Sequence, residues 1–108
     1  MGKNKYLGEF EIVVLATLVR LGEDAYGMTI RRQIEERSGR SVSIGSLYAT
    51  LRRLEAKGYV STVLGEPTQE RGGRAKRYFR LEAAGAEALI RSRELFLQML
   101  EGLPERLV

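Results

Sequence analysis

The sequence predicts a mainly helical α+β domain whose elements run α-α-α-β-β-α. Three observations carry that reading. Three apolar-patterned segments each end at a glycine, at Gly22, Gly39 and Gly58. Two short runs rich in Val, Thr and Tyr or Phe then flank the turn-forming stretch Pro67-Thr68-Gln69-Glu70-Arg71-Gly72-Gly73. An alanine-rich segment from Glu82 to about Leu103 follows, and Pro104 ends it. At 108 residues the chain is one domain long.

The first segment, from Gly8 to Leu21, is apolar on every side, with Thr17 almost alone as an interior polar residue. Its length favours a helix over a strand. A helix without a polar face needs burial all round. In a domain this small, one face can meet the chain's own core and the other a second subunit. In the second helix Tyr26, Ile30 and Ile34 share one face, while Arg31, Arg32, Glu35 and Glu36 form a solvated one. Gly27 costs helix propensity there, and close packing against a neighbouring helix is the expected compensation.

The third helix is the best marked. Ser43 is its N-cap, and Ile44, Leu47, Leu51 and Leu54 form its core stripe, with Tyr48 at the edge. The opposite face begins with small residues (Gly45, Ser46, Ala49) and turns basic at Arg52 and Arg53. Residues Tyr59 to Glu66 and Arg74 to Leu81 read as an antiparallel hairpin with a long, glycine-ended loop. In the last helix Leu89, Phe96, Met99 and Leu103 recur on one face, widened by Leu95 and Leu100. Beyond about Arg93 this helix outruns any core the hairpin can offer, so a second copy of the chain is its simplest cover.

Composition narrows the function. The chain has no cysteine and no histidine, and its single aspartate is Asp24. Thiolate chemistry, the commonest general base and the commonest transition-metal ligand are therefore missing, which argues against an enzyme. No cofactor is expected. No stretch reaches the roughly 18 apolar residues a membrane helix needs. The basic start of the chain meets Glu9 and Glu11 before any apolar run, so no signal peptide is expected and the cytoplasm is the expected location. Net charge is +4 and the pI about 9.7. Residues 39–81 carry nine basic side chains against three acidic ones, so the excess sits in the middle of the chain. Such a stretch suits a polyanion.

Two helices, a third with small residues early and arginines late, and then a basic hairpin form the order of a winged helix-turn-helix. The third helix can enter the major groove, about 12 Å wide, with its small face towards the bases. Candidate DNA contacts are Ser43, Ser46, Tyr48, Ala49, Thr50, Arg52 and Arg53 on this helix, and Arg71, Gly73, Arg74, Lys76 and Arg77 on the wing. Candidate dimer contacts are Phe10, Val14, Leu18, Leu89, Phe96, Met99, Leu100 and Leu103. Residues 1–81 read as a DNA-binding domain and 82–108 as a C-terminal dimerisation helix packed into the same unit. A winged-helix protein-interaction module is the alternative. It calls for an exposed apolar patch on the third helix, where small and basic residues stand instead.

The chain resembles the PadR family of transcriptional regulators, specifically its short subclass with a single C-terminal helix. The resemblance runs from Leu7 to about Leu103. It is carried by Leu7-Gly8-Glu9-Phe10-Glu11, by Ala25-Tyr26-Gly27, and by Ser43-Ile44-Gly45-Ser46-Leu47-Tyr48-Ala49-Thr50-Leu51. Leu54-Glu55-Ala56-Lys57-Gly58-Tyr59-Val60 and the stretch Arg71 to Leu81, followed by Ala83-Ala84-Gly85, complete it. It implies a homodimer held by the first and last helices and recognition of an inverted-repeat operator in double-stranded DNA. It also implies repression, often relieved by a small-molecule effector or another signal. For DNA contact it points to Ser43, Ser46, Tyr48, Thr50 and Arg52 with the wing around Arg71 to Arg77. One departure is Glu82, where the family commonly has a capping Thr or Ser. The chain also lacks tryptophan, which leaves Phe96 as its candidate aromatic platform for a ligand at the dimer contact.

Overall fold

A computed structural model of the chain describes residues 6–65 and 76–107. The order is α1 (Glu9–Leu21), a 3-10 turn (Gly22–Asp24), α2 (Gly27–Ser38), α3 (Ile44–Ala56), β1 (Val60–Leu64), β2 (Arg77–Leu81) and α4 (Ala83–Leu100). This is the order expected from the sequence, and the fold is a winged helix.

Local signals set most element ends. The backbone N–H of Gly8 donates to the Glu11 carboxylate at 2.9 Å, covering one of the polar groups at the start of α1. Gly22 ends α1 with φ 59°, and Gly58 follows α3 with φ 79°, a conformation only glycine takes without strain. Ser43 caps α3 by accepting the Ser46 N–H at 3.1 Å.

The core is built from one face of each helix. Val14, Leu15 and Leu18 of α1 meet Ile30 and Ile34 of α2, Leu47, Leu51 and Leu54 of α3, and Ala88 of α4. Val60 and Phe79 close it from the hairpin side. The strands pair antiparallel from Val60 opposite Leu81 to Leu64 opposite Arg77. A bridge from outside the hairpin was not legible in the sequence: Tyr26 bridges Tyr78, and the Phe79 N–H donates to the Ala25 carbonyl at 2.8 Å. The hairpin is thus tied to the start of α2.

Several expectations change. Val14 and Leu18, expected at a dimer contact, are 0% and 3% exposed in their own protomer, so they fill its core and offer no surface. The outward face of α1 is instead Ile12, Ala16 and Val19, which border a cleft of about 510 Å³ with Leu89, Ile90 and Arg93 of α4. Ile44, expected in the core, is 39% exposed at the first position of α3. Glu82 is the residue before α4 rather than its first turn. Its side chain makes no cap hydrogen bond, and its carboxylate instead accepts the Ser61 hydroxyl at 2.5 Å. The helix ends at Leu100, with Phe96, Leu97, Met99 and Leu100 exposed. Among the described residues, no helix is long and apolar enough to cross a membrane.

Candidate nucleic-acid interface

The exposed face of α3 carries the densest set of expected contacts. With Leu47, Leu51 and Leu54 fully buried, the helix cannot rotate, and Gly45, Ser46, Ala49, Arg52 and Arg53 are held outward. Ser43 lies at the start of this face, exposed, with its hydroxyl oxygen on the Ser46 N–H.

Two expected contacts on α3 have other partners. Thr50 is 3% exposed, and its hydroxyl oxygen accepts an Arg53 guanidinium N–H at 3.1 Å. It falls three residues after Leu47 and four before Leu54, so it shares their inward side. Thr50 thus fixes Arg53 rather than meeting a partner. Tyr48 is half-buried, tilted against Phe79 with ring centroids 6.2 Å apart. Its hydroxyl lies against Gly27, where a Cβ would collide with it. This is the close packing that the glycine in α2 required, and it makes Tyr48 a spacer between α2 and α3.

On the wing, Lys76 places its ammonium 4.4 Å from the centroid of the Tyr26 ring, and Arg77 is exposed. Tyr26 in turn meets Tyr78 edge to face, with centroids 5.4 Å apart. The base of the wing is therefore an aromatic stack topped by a cation. Arg71, Gly73 and Arg74 lie outside the described residues.

The structure adds Arg40 and Ser41, which the sequence placed only in a link. They line a cleft of about 360 Å³ with Ser43, Ser46, Ala49 and Arg53. Arg40 pairs with Glu9 at 2.7 Å and lies over the Phe10 ring, 5.4 Å from its centroid. The only early signal was its charge, because its ion-pair partner Glu9 stands 31 residues back in sequence.

A second ion pair holds the far end of α3. Lys57 donates to the Glu11 carboxylate at 2.9 Å, and its ammonium is 5.9 Å from the Tyr59 ring centroid. Burial pushes the Glu11 carboxyl up. The Lys57 bond, the Gly8 N–H and the charges of Lys57 and Arg53 outweigh it and hold the group below its ordinary value of 4.5. The first turn of α1 thus reaches both ends of the exposed helix, Arg40 before it through Glu9 and Lys57 behind it through Glu11.

The family model described as "Transcriptional regulator PadR-like family" matches residues 14–91. No curated protein matches the sequence. Among solved structures, the chain is similar to RosR from H. salinarum, at 27% identity and a TM-score of 0.68, covering 92% of this chain and 82% of that one. It is also similar to RosR in a structure described as a complex, at 27% identity and a TM-score of 0.67, covering 92% and 78%. A PadR family transcription regulator from Clostridium difficile shares the fold at 22% identity and a TM-score of 0.67, covering 87% and 92%. The fold is that of known regulators, and the chain belongs to the PadR-like family of transcriptional regulators.

Proposed function

We propose that this chain is a homodimeric, sequence-specific DNA-binding repressor that uses α3 in the major groove and its basic hairpin on the backbone or in the adjacent minor groove. The observation that carries this reading is the outward face of α3, small at Gly45, Ser46 and Ala49 and basic at Arg52 and Arg53. Small residues let the helix backbone approach base edges, and arginines behind them can neutralise phosphates. Ser43, Ser46 and the N-terminus of α3 can hold a further phosphate. Lys76, Arg77 and the arginines Arg71 and Arg74 extend the contact along the duplex, with Gly73 allowing close approach.

In this reading residues 1–81 bind DNA and residues 82–108 join two copies. Leu89, Phe96, Met99, Leu100 and Leu103 supply the α4 side of the contact and Phe10 an edge of α1. Two copies related by a two-fold axis read an inverted repeat, with half-sites spaced by about one helical turn. The cleft between α1 and α4 is the natural place for a small-molecule effector, and the protein works in the cytoplasm beside the chromosome.

The test is selection of bound fragments from the source genome, followed by titration of the recovered operator against salt. Each phosphate contact contributes about −0.9 to the slope of log affinity on log salt, so Arg52→Ala should flatten the slope of a dimer by roughly 2. Binding without sequence preference, or a slope indifferent to Arg52→Ala and Arg74→Ala together, defeats the proposal.

A further inference from the structure

The cleft at the start of α3 has features that reading a base does not need. Arg40 and Arg53 line it with the serines Ser41, Ser43 and Ser46, and among the described residues no carboxylate lines it. Its walls are fixed. The Arg40 N–H donates to the Ser38 hydroxyl oxygen at 3.2 Å, and the Val42 N–H donates to the Glu35 carboxylate at 2.9 Å, which pins the short link at both ends. Arg53 is tied to the buried Thr50. Two arginines and three serines around one hollow can supply guanidinium and hydroxyl donors to the oxygens of a tetrahedral anion.

One of the two cations is already engaged. Glu9, in the first turn of α1, holds Arg40 at 2.7 Å while Phe10 supports the guanidinium from one side. Both partners are substantially exposed, at 43% and 72% for their side chains, so the pair is weak enough to exchange. A phosphate presents the same bidentate acceptor geometry as the carboxylate and carries its charge into the cleft between two cations.

The geometry points to a phosphate subsite for the DNA backbone in this cleft, with Glu9 as an internal stand-in that occupies Arg40 until a backbone phosphate displaces it. This rests on the proposed DNA-binding function and adds to it Arg40, a cation outside α3 and the wing, with Glu9 as its competitor. Glu9 sets the threshold. Non-specific duplex, which seats α3 poorly, does not bring a phosphate into the cleft and leaves the Glu9–Arg40 pair closed. A matched operator opens it.

The test uses the full chain with wild type, Arg40→Ala, Glu9→Gln and the double variant, on the selected operator and on unrelated duplex. Arg40→Ala should weaken operator binding by roughly tenfold or more, the size of a lost charge-assisted bond, and flatten the salt slope by about 2 for a dimer. Glu9→Gln should tighten binding by roughly 2- to 20-fold, two exposed ion pairs no longer having to break. It should tighten binding to unrelated duplex by less, because a poorly seated α3 brings no phosphate to the freed Arg40. In the Arg40→Ala background the Glu9→Gln gain should vanish to within about twofold, since distant charges are screened. The thermal midpoints of the four proteins check that all fold.

Wild-type operator binding that ignores Arg40→Ala, or a Glu9→Gln gain that survives without Arg40, overturns the subsite and leaves the DNA-binding function standing. A wild-type chain that binds no DNA overturns both. Inorganic phosphate titrated into the free protein separates the sources of the oxyanion. Tight phosphate binding that shifts the Ser43 and Ser46 amides, together with operator affinity indifferent to Arg40→Ala, reassigns the cleft to a free anion and overturns the DNA assignment.

Discussion

The Tyr48 hydroxyl rests against the α-carbon of Gly27, in the space that any Cβ at that position would need. This contact sets how closely α2 and α3 approach, and so where α3 presents its outward face. Its sequence cost is a glycine at the first position of a helix, and its structural return is a tyrosine ring wedged between that glycine and Phe79. The same logic recurs at Gly85, where a Cβ would meet the Tyr59 carbonyl oxygen, which already accepts the Glu82 N–H at 2.9 Å.

These two glycines make a comparative prediction. Gly27→Ala should destabilise the protein by about 1–3 kcal/mol, despite the better helix propensity of alanine. Tyr48→Phe in that background should recover part of the loss, since it removes the obstructing oxygen. Gly85→Ala should cost more, because its obstacle is backbone that cannot rotate away. Urea denaturation of the three variants measures all of this. A Gly27→Ala protein as stable as wild type refutes the spacer role of Tyr48.

The Glu11–Lys57 pair predicts an acid limb in stability. Glu11 titrates near 4.5 in the unfolded chain and below that in the fold. A carboxyl held low stabilises the fold above its unfolded value, and the contribution fades as pH falls through the lower folded value. Glu11→Gln should therefore lower the melting temperature at neutral pH and lower it less at acid pH, as the carboxyl becomes protonated in both states. An equal loss at both pH values assigns the effect to packing instead of charge.

The outward face of α3 can be filled without disturbing the core. Ala49 is exposed, so Ala49→Leu should leave stability within about 0.5 kcal/mol of wild type. A bulky side chain there holds the helix away from the base edges. Operator affinity should fall by at least about tenfold, comparable to one lost base contact. Undiminished binding by a folded Ala49→Leu protein removes this face from the interface.

The end of α4 is exposed over Phe96, Leu97, Met99 and Leu100. A charge at that surface does not touch the protomer core but opposes cover by a second copy. Phe96→Asp and Met99→Asp should each give a folded monomer by sedimentation and lose operator binding, since two linked half-site contacts become one. Dimers that persist in both variants place the subunit contact elsewhere.

The legible and illegible parts of the site divide on sequence distance. The Ser43 cap, the Leu47, Leu51 and Leu54 stripe and the small-to-basic outward face could be read because each depends on residues a few positions apart. Thr50 was misassigned although its register was available: three residues from Leu47 and four from Leu54, it had to share their side. Its hydroxyl suggested a partner outside, and Arg53 met that need within one turn. Arg40 had no comparable signal. Its role depends on Glu9 and Phe10, which only the fold brings beside it.

By itself the sequence determined the element order, the glycine stops, the capping serine and the position of the basic stretch, all products of short-range backbone and side-chain preferences. Only the tertiary structure decided which side of α1 faces inward. That helix is apolar all round, so no periodicity distinguishes Val14 and Leu18 from Ile12, Ala16 and Val19. Packing against α2 and α3 selected Val14 and Leu18 for the core and left Ile12, Ala16 and Val19 bordering the cleft with α4, because burial is settled by whichever neighbours are present and not by the helix alone.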